Sequence, residues 1–261
     1  MDGHRLPGAF TGFPGLRFTV RLNETRKVGG MLIRIGLEHG VEGRTLAWAL
    51  DFPGCFAYGL DDAEVLIRIA HNLVKHEVWV NLHTDTPWFV LEELDFRTVE
   101  VWDTFTTETS VGAYEVNAWF KDDQRLVSPS EVEQALLLHH WQREELLAGV
   151  ESLPPEILKV IFPGQRWDIL GILRHVARVE YWYLRNLDLT LPPLPEGDDP
   201  VELLAFTEEL VRENLPAFAG NPTASGHQGE SWSCRKVVRR LLWHQRDHID
   251  HIRQLVLPPS A

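Results

Sequence analysis

The chain has 261 residues, of which 44% are hydrophobic and 24% charged, and a formal net charge of −13. That balance predicts a packed core and excludes global disorder, and the length suits one large domain or two ordinary ones. Residues 1–128 carry 12 Lys/Arg against 19 Asp/Glu and the remainder 13 against 19, so neither half is basic and a nucleic-acid backbone is excluded as a partner.

Short apolar or alternating runs separated by turn residues fill the first half. Phe18–Leu22, Met31–Leu37 and Thr45–Leu50 read as strands, with turns at Asp51-Phe-Pro-Gly54 and Gly59-Leu-Asp-Asp62. Asp61 or Asp62 can cap a helix over Ala63–Val78, and two further strands are expected at Phe96–Thr107 and Ala113–Phe120. The texture changes near residue 125. Ser128 or Ser130 can cap a helix over Glu131–Leu153, which Pro154-Pro155 stops. Helices over Trp167–Asn186 and Val201–Phe218 follow, and a fourth begins after Ser231 or Ser233 and ends before Pro258-Pro259. Four such helices predict a four-helix bundle. The expected fold class is α+β: a small N-terminal α/β domain over 1–125, then an all-α up-down four-helix bundle over 126–261.

Two cysteines, Cys55 and Cys234, are too few for a disulfide scaffold and too far apart for a Cys-x-x-Cys site, which fits a reducing cytoplasm. No run approaches the ~20 apolar residues of a membrane span, and no signal pattern opens the chain, so neither a membrane nor export is expected.

The chemistry concentrates in Leu241-Leu-Trp-His-Gln-Arg-Asp-His-Ile-Asp-His-Ile252. His244, His248 and His251 are spaced four and three apart, which places them within an arc of roughly 60° on a helix. His248 falls inside an apolar stripe, where an unpaired imidazole costs about 1–3 kcal/mol. Two histidines at i and i+4 can bind one divalent metal from one helical face. Hydrogen-bonded core or surface histidines are the other reading.

Trp167-Asp-Ile-Leu-Gly-Ile-Leu-Arg-His175, Trp232-Ser-Cys-Arg-Lys-Val-Val and the His244/His248 pair together resemble the DinB-like superfamily of metal-binding four-helix bundles, over roughly 128–256. The family pattern is a Trp eight residues before a His on helix two and a His-x-x-x-His on helix four. The resemblance implies that His175, His244 and His248 are the metal ligands, that the cofactor is a divalent metal (zinc or nickel), and that the ligand is a small molecule or thiol. Three imidazoles leave a position open, as catalytic sites do. Asp247, Asp250 and Glu180 are candidates to orient an imidazole through its other N–H, with solvated faces or helical ion pairs as the alternative. His251 is read as a surface residue, with a fourth ligand or a proton shuttle as alternatives. His139 and His140 are adjacent, so at most one can face the site.

Leu46–Ala70, with its Asp51-Phe-Pro-Gly-Cys55 turn and capped helix, is similar to the HicB-like fold over roughly 16–82. In antitoxins that fold covers a small ribonuclease and is joined to a DNA-binding module, which is not seen in this sequence. Here it could form a homodimer, cover the open metal position or bind a ligand. Two functions stay open: a metal-dependent transferase or hydrolase acting on a small molecule, and a non-catalytic metal- or ligand-binding or protein-interaction protein.

Overall fold

Alternation from residue 31 onward produces the longest strand. A computed structural model describes residues 26–27, 32–91, 94–109 and 112–257, and the strand expected at Phe18–Leu22 lies outside them. The first half runs β1 (Arg26–Lys27), β2 (Leu32–Val41), β3 (Arg44–Ala49), β4 (Phe56–Gly59), α1 (Asp62–Asn81), β5 (Phe89–Val90), β6 (Asp95–Asp103), β7 (Phe105–Thr109) and β8 (Gly112–Val116). β2, β3 and β4 form an antiparallel meander and β6 joins β2 in parallel, giving the order β4-β3-β2-β6. Beside this sheet, β1 pairs with β5 and β7 with β8.

Successive side chains of a strand point to opposite faces. On one face Ile33, Ile35, Leu37, Ala47, Ala49 and Ala57 pack against Val65, Ile69 and Leu73 of α1. That helix is capped by Asp61, whose carboxylate accepts the Glu64 backbone N–H. On the other face Leu46, Trp48 and Phe56 meet Phe120 and Trp243. Gly36 lies on this second face because a Cβ there would sit 2.9 Å from the Phe120 ring.

In the second half, α2 (Pro129–Glu151), α3 (Ile169–Arg185), α4 (Pro200–Asn214) and α5 (Cys234–Val256) each begin at a side-chain cap: Ser128, Asp168, Asp199 and Ser233. Among the described residues no helix is long and apolar enough to cross a membrane.

The expected all-α four-helix bundle after a small α/β domain is not what the chain forms. The described residues make a mixed α/β fold of five helices, with strands in both halves. β9 (Ala224–His227) and β10 (Glu230–Ser233) pair antiparallel inside the stretch expected to be a connection. Their turn puts Gln228 and Gly229 at φ 53° and 86°, the positive values a two-residue hairpin requires. The hairpin is packed in place. Glu230 and Trp232 are buried, Tyr114 donates a hydrogen bond to Glu230, and the Thr107 hydroxyl donates to the Gln228 carbonyl at 3.2 Å. α4 is also shorter than the expected Val201–Phe218, because Pro216 cannot continue the hydrogen-bond ladder and Leu215–Phe218 tightens into a 3-10 turn.

α5 is shared by both halves. Arg239 makes a bidentate pair with Asp123 (3.0 and 2.7 Å) and lies over the Trp48 ring at 4.4 Å. Arg240 is 3.9 Å from Glu38, which also accepts from the Trp48 indole and the Ala118 N–H. Lys236 pairs with Glu230 at 2.6 Å. All these cations are buried. On the opposite side Val237, Val238, Leu241 and Leu242 join the core shared with α2 and α3.

A second polar cluster ties the helices to one another. Arg143 of α2 donates to both oxygens of Glu180 on α3 (2.6 Å each), to the Leu204 carbonyl on α4 (2.6 Å) and to the Gln245 amide oxygen on α5 (2.7 Å). Glu180 also accepts from His139 Nε2 (3.0 Å) and the Thr207 hydroxyl (2.7 Å), and Gln245 returns a bond to the His139 carbonyl (2.9 Å). Burial would push the Glu180 carboxyl up, but the Arg143 charge and the His139 contact outweigh it and hold the carboxyl down at about 2.

Two outcomes follow from these contacts. Removing residues 1–125 strips Glu38, Asp122 and Asp123 from buried α5 cations and uncovers Trp243. The remaining chain should therefore be molten or insoluble, read as lost near-ultraviolet circular dichroism with dye binding; a cooperatively melting fragment would contradict it. For Glu180, a folded-state carboxyl held below its unfolded value gives stability that is complete above about pH 4.5 and lost as pH falls toward 2, worth ~3 kcal/mol. With chelator present, the native chain should lose melting temperature over that window more steeply than Glu180→Gln. Glu180→Ala should cost about 3–5 kcal/mol at pH 7, because it leaves Arg143 buried and unpaired.

Candidate metal centre

Helical spacing puts His244 and His248 one turn apart on α5, and α3 brings His175 against them. The Nε2 atoms of His175 and His244 are 3.2 Å apart, and those of His244 and His248 are 3.1 Å apart. Among the described residues this is the one group of three or more His, Cys, Asp or Glu side chains whose ligand atoms lie within 4.8 Å of one another. The structure thus brings together the three residues expected from the sequence.

The two short contacts cannot both be hydrogen bonds. A ring nitrogen has one in-plane site, either an N–H or a lone pair, so His244 Nε2 can bond one neighbour and not two. A divalent ion bound by all three would resolve this. Zinc–nitrogen bonds of about 2.0–2.1 Å at tetrahedral angles separate the nitrogens by ~3.3 Å.

The protonation states also suit a metal. Burial, then the neighbouring imidazoles of His248 and His175 and the charge of Arg240, holds His244 well below the ordinary histidine range. Burial, with His175 and His251 adding to it, pushes His248 down to about 3. Burial and the Arg166 charge lower His175. Neutral imidazole is the ligand form. His244 is buried, whereas His175 and His248 are half-buried and keep some contact with solvent. The Trp167 ring stacks on His175 at 4.8 Å, and Tyr183 meets His244 edge-on at 5.9 Å.

The acids expected to orient the imidazoles sit elsewhere. Glu180 is committed to Arg143 and His139. Asp250 pairs with Arg253 at 3.1 Å. Asp247 turns toward Tyr58 and Glu42, and burial lifts its carboxyl to about 7. Among the described residues, the Nδ1 atoms of His244 and His248 are buried without a hydrogen-bond partner.

His251 stays outside the cluster and donates from Nε2 to the Gln165 amide oxygen at 2.8 Å. His139 is buried on Glu180, and His140 pairs with Glu208 at 2.9 Å. In the N-terminal half, His76 stacks on Phe89 and His83 on Trp141.

The sequence reading missed the Arg143 cluster and, beside the Trp167 it did single out, the rim residues Gln165 and Arg166. A signal for the first existed: His139, Gln142 and Arg143 interrupt the apolar stripe formed by Val132, Ala135, Leu138, Leu146 and Val150. Polar groups on a core stripe need partners. The rim residues carry no periodic signal, since they precede the helix.

Comparison of the chain with protein-family models, with curated proteins and with solved structures finds no match.

Proposed function

We propose that the chain binds a divalent metal through His175, His244 and His248 and uses the remaining positions to bind a small molecule. The observation that carries this is the convergence of three Nε2 atoms at 3.1 and 3.2 Å, with one nitrogen facing two neighbours it cannot both hydrogen-bond. Zinc or nickel suits an all-imidazole set. When bound, such a metal supplies Lewis acidity and favours a thiolate at neutral pH. The DinB-like resemblance supports a thiol as the ligand and a thiol-dependent transferase or hydrolase as the activity. The chain's own part is to keep three imidazoles neutral, to hold His175 by the Trp167 stack and to leave one side of the cluster reachable.

A non-catalytic metal- or ligand-binding role is favoured by one observation. Neither Asp247, Asp250 nor Glu180 hydrogen-bonds the cluster, so none of them stands as a general base beside it. The enzyme reading and the metal-binding form of the second both require the metal.

Elemental analysis of the purified chain beside a His244→Ala/His248→Ala variant tests that requirement. The expected result is near-stoichiometric zinc or nickel in the native chain and almost none in the variant. Metal that binds only the folded state should also stabilise the native chain, by ~4 kcal/mol at a thousandfold excess over Kd, raising its melting point and leaving the variant's unchanged. No uptake by the native chain after incubation with zinc or nickel would make the histidines structural. Equal uptake by the variant would move the site elsewhere.

A further inference from the structure

The rim of the histidine cluster holds a cation without a carboxylate. Gln165, Arg166 and Trp167 are consecutive residues just before α3, and all three bear on the site. Gln165 accepts from His251, and the Trp167 ring stacks on His175 with centroids 4.8 Å apart. The Arg166 guanidinium lies over that same indole, 4.8 Å from its centroid. The Trp167 indole therefore touches both an exposed arginine and a histidine of the cluster.

Neighbouring arginines are paired and Arg166 is not. Arg174 is 3.4 Å and Arg178 2.9 Å from Asp198. Among the described residues Arg166 forms no ion pair and no hydrogen bond; it lies over the Trp167 ring, and its charge bears on His175. A cation–ring contact uses the charge of the guanidinium and none of its N–H donors, which stay free. Those donors match a carboxylate in a two-point fork. The indole also restricts the arginine, which lowers the ordering cost when an anion arrives.

We propose that Arg166 is the anion-recognition residue of this site, and that the small molecule bound at the histidine cluster carries a carboxylate at the end remote from its metal-binding group. The proposal rests on the metal reading above. The metal-binding group lies at the three Nε2 atoms and the carboxylate lies against Arg166, with the Trp167 ring in contact with both sides of the site. An uncharged analogue of the same length keeps the first contact and loses the second.

Titration of the full chain loaded with cobalt(II) tests this, using 6-mercaptohexanoate, long enough to pass the Trp167 ring and too long to chelate through its own carboxylate, against the uncharged 6-mercaptohexanol and reading the visible and charge-transfer bands. Mercaptohexanoate should bind about tenfold more tightly, the value of a charge-assisted fork. Arg166→Gln should abolish that advantage while leaving mercaptohexanol within about twofold of its native affinity, and Arg166→Lys should keep part of it. Arg166 is exposed, so both variants should melt with the native chain. Equal affinity for the two thiols, an advantage that survives Arg166→Gln, or bands that neither thiol perturbs would each overturn the proposal and leave the metal reading standing. Failure of the native chain to take up cobalt would overturn the metal reading and the proposal together.

Discussion

The Arg143–Glu180 pair is the constraint on which the helical half depends. Both side chains are almost fully buried, at 1% and 0% exposure, so neither charge can be left alone. Arg143 spends every donor nitrogen on a different neighbour: α3 through Glu180, α4 through the Leu204 carbonyl and α5 through Gln245. A shift of any of these helices along its axis would break a charge-assisted bond in a low-dielectric interior, where an unmet charge costs several kcal/mol. Apolar packing alone tolerates small slides; this cluster does not. Gln245 is adjacent in sequence to His244, and Glu180 lies on the same helix as His175. The contacts that set the register of α3 and α5 are thus next to those that set the spacing of the imidazoles.

α5 extends the same logic to the rest of the chain. Its first half presents buried cations to acids from several segments: Arg239 to Asp123, Arg240 toward Glu38, Lys236 to Glu230 and Arg235 to Glu131 at 2.8 Å. Its second half presents His244 and His248 to α3. A helix that serves a sheet, a hairpin and the other helices at once cannot be assigned to one half. Trp243 makes the point in apolar terms: its ring is 5.6 Å from Trp48 of β3, one residue before a member of the histidine cluster. The polar pairs also fix which way α5 rolls, because rotation that buried the histidines against the sheet would carry Arg239 and Arg240 away from their acids.

Much of this was legible because local chemistry and period agree. Asp61 or Asp62 and Ser128 or Ser130 were expected as caps, and a helix was expected after Ser231 or Ser233; Asp61, Ser128 and Ser233 are the caps, since an oxygen just before an apolar run satisfies an orphan N–H. The alternation of β2 needed no tertiary information. The hairpin of β9 and β10 was not legible. Its turn uses Gln228-Gly229 in place of the Asn-Gly or Asp-Gly that advertises such a turn, and Ala224-Ser-Gly-His227 has little strand propensity. Contacts to Thr107 and Tyr114, more than a hundred residues away, hold it. Calling the second half all-helical failed for that reason. In the site, spacing on one helix was enough for His244 and His248. His175 needed the DinB-like resemblance, because nothing local says which residue of another helix will face them. Asp247, Asp250 and Glu180 illustrate the same limit: a helical wheel gives the direction of a carboxylate and not the partner it finds.

The order of construction bears on what a metal there could do. In small zinc modules the ion is the core, and the apo chain is unfolded. Here the imidazoles are held by packing and ion pairs that contain no histidine of the cluster, and two of them touch at 3.1 Å before any ion is considered. A metal bound at such a place would add to a fold that already stands. Its affinity would be spent neither on folding the chain nor on closing a four-ligand cage, since the cluster contributes three imidazoles. Ions held by three preset ligands on a half-exposed face are the ones that exchange ligands readily. A rigid frame around an ion with positions left open suits binding and release of a small molecule better than permanent structural bracing.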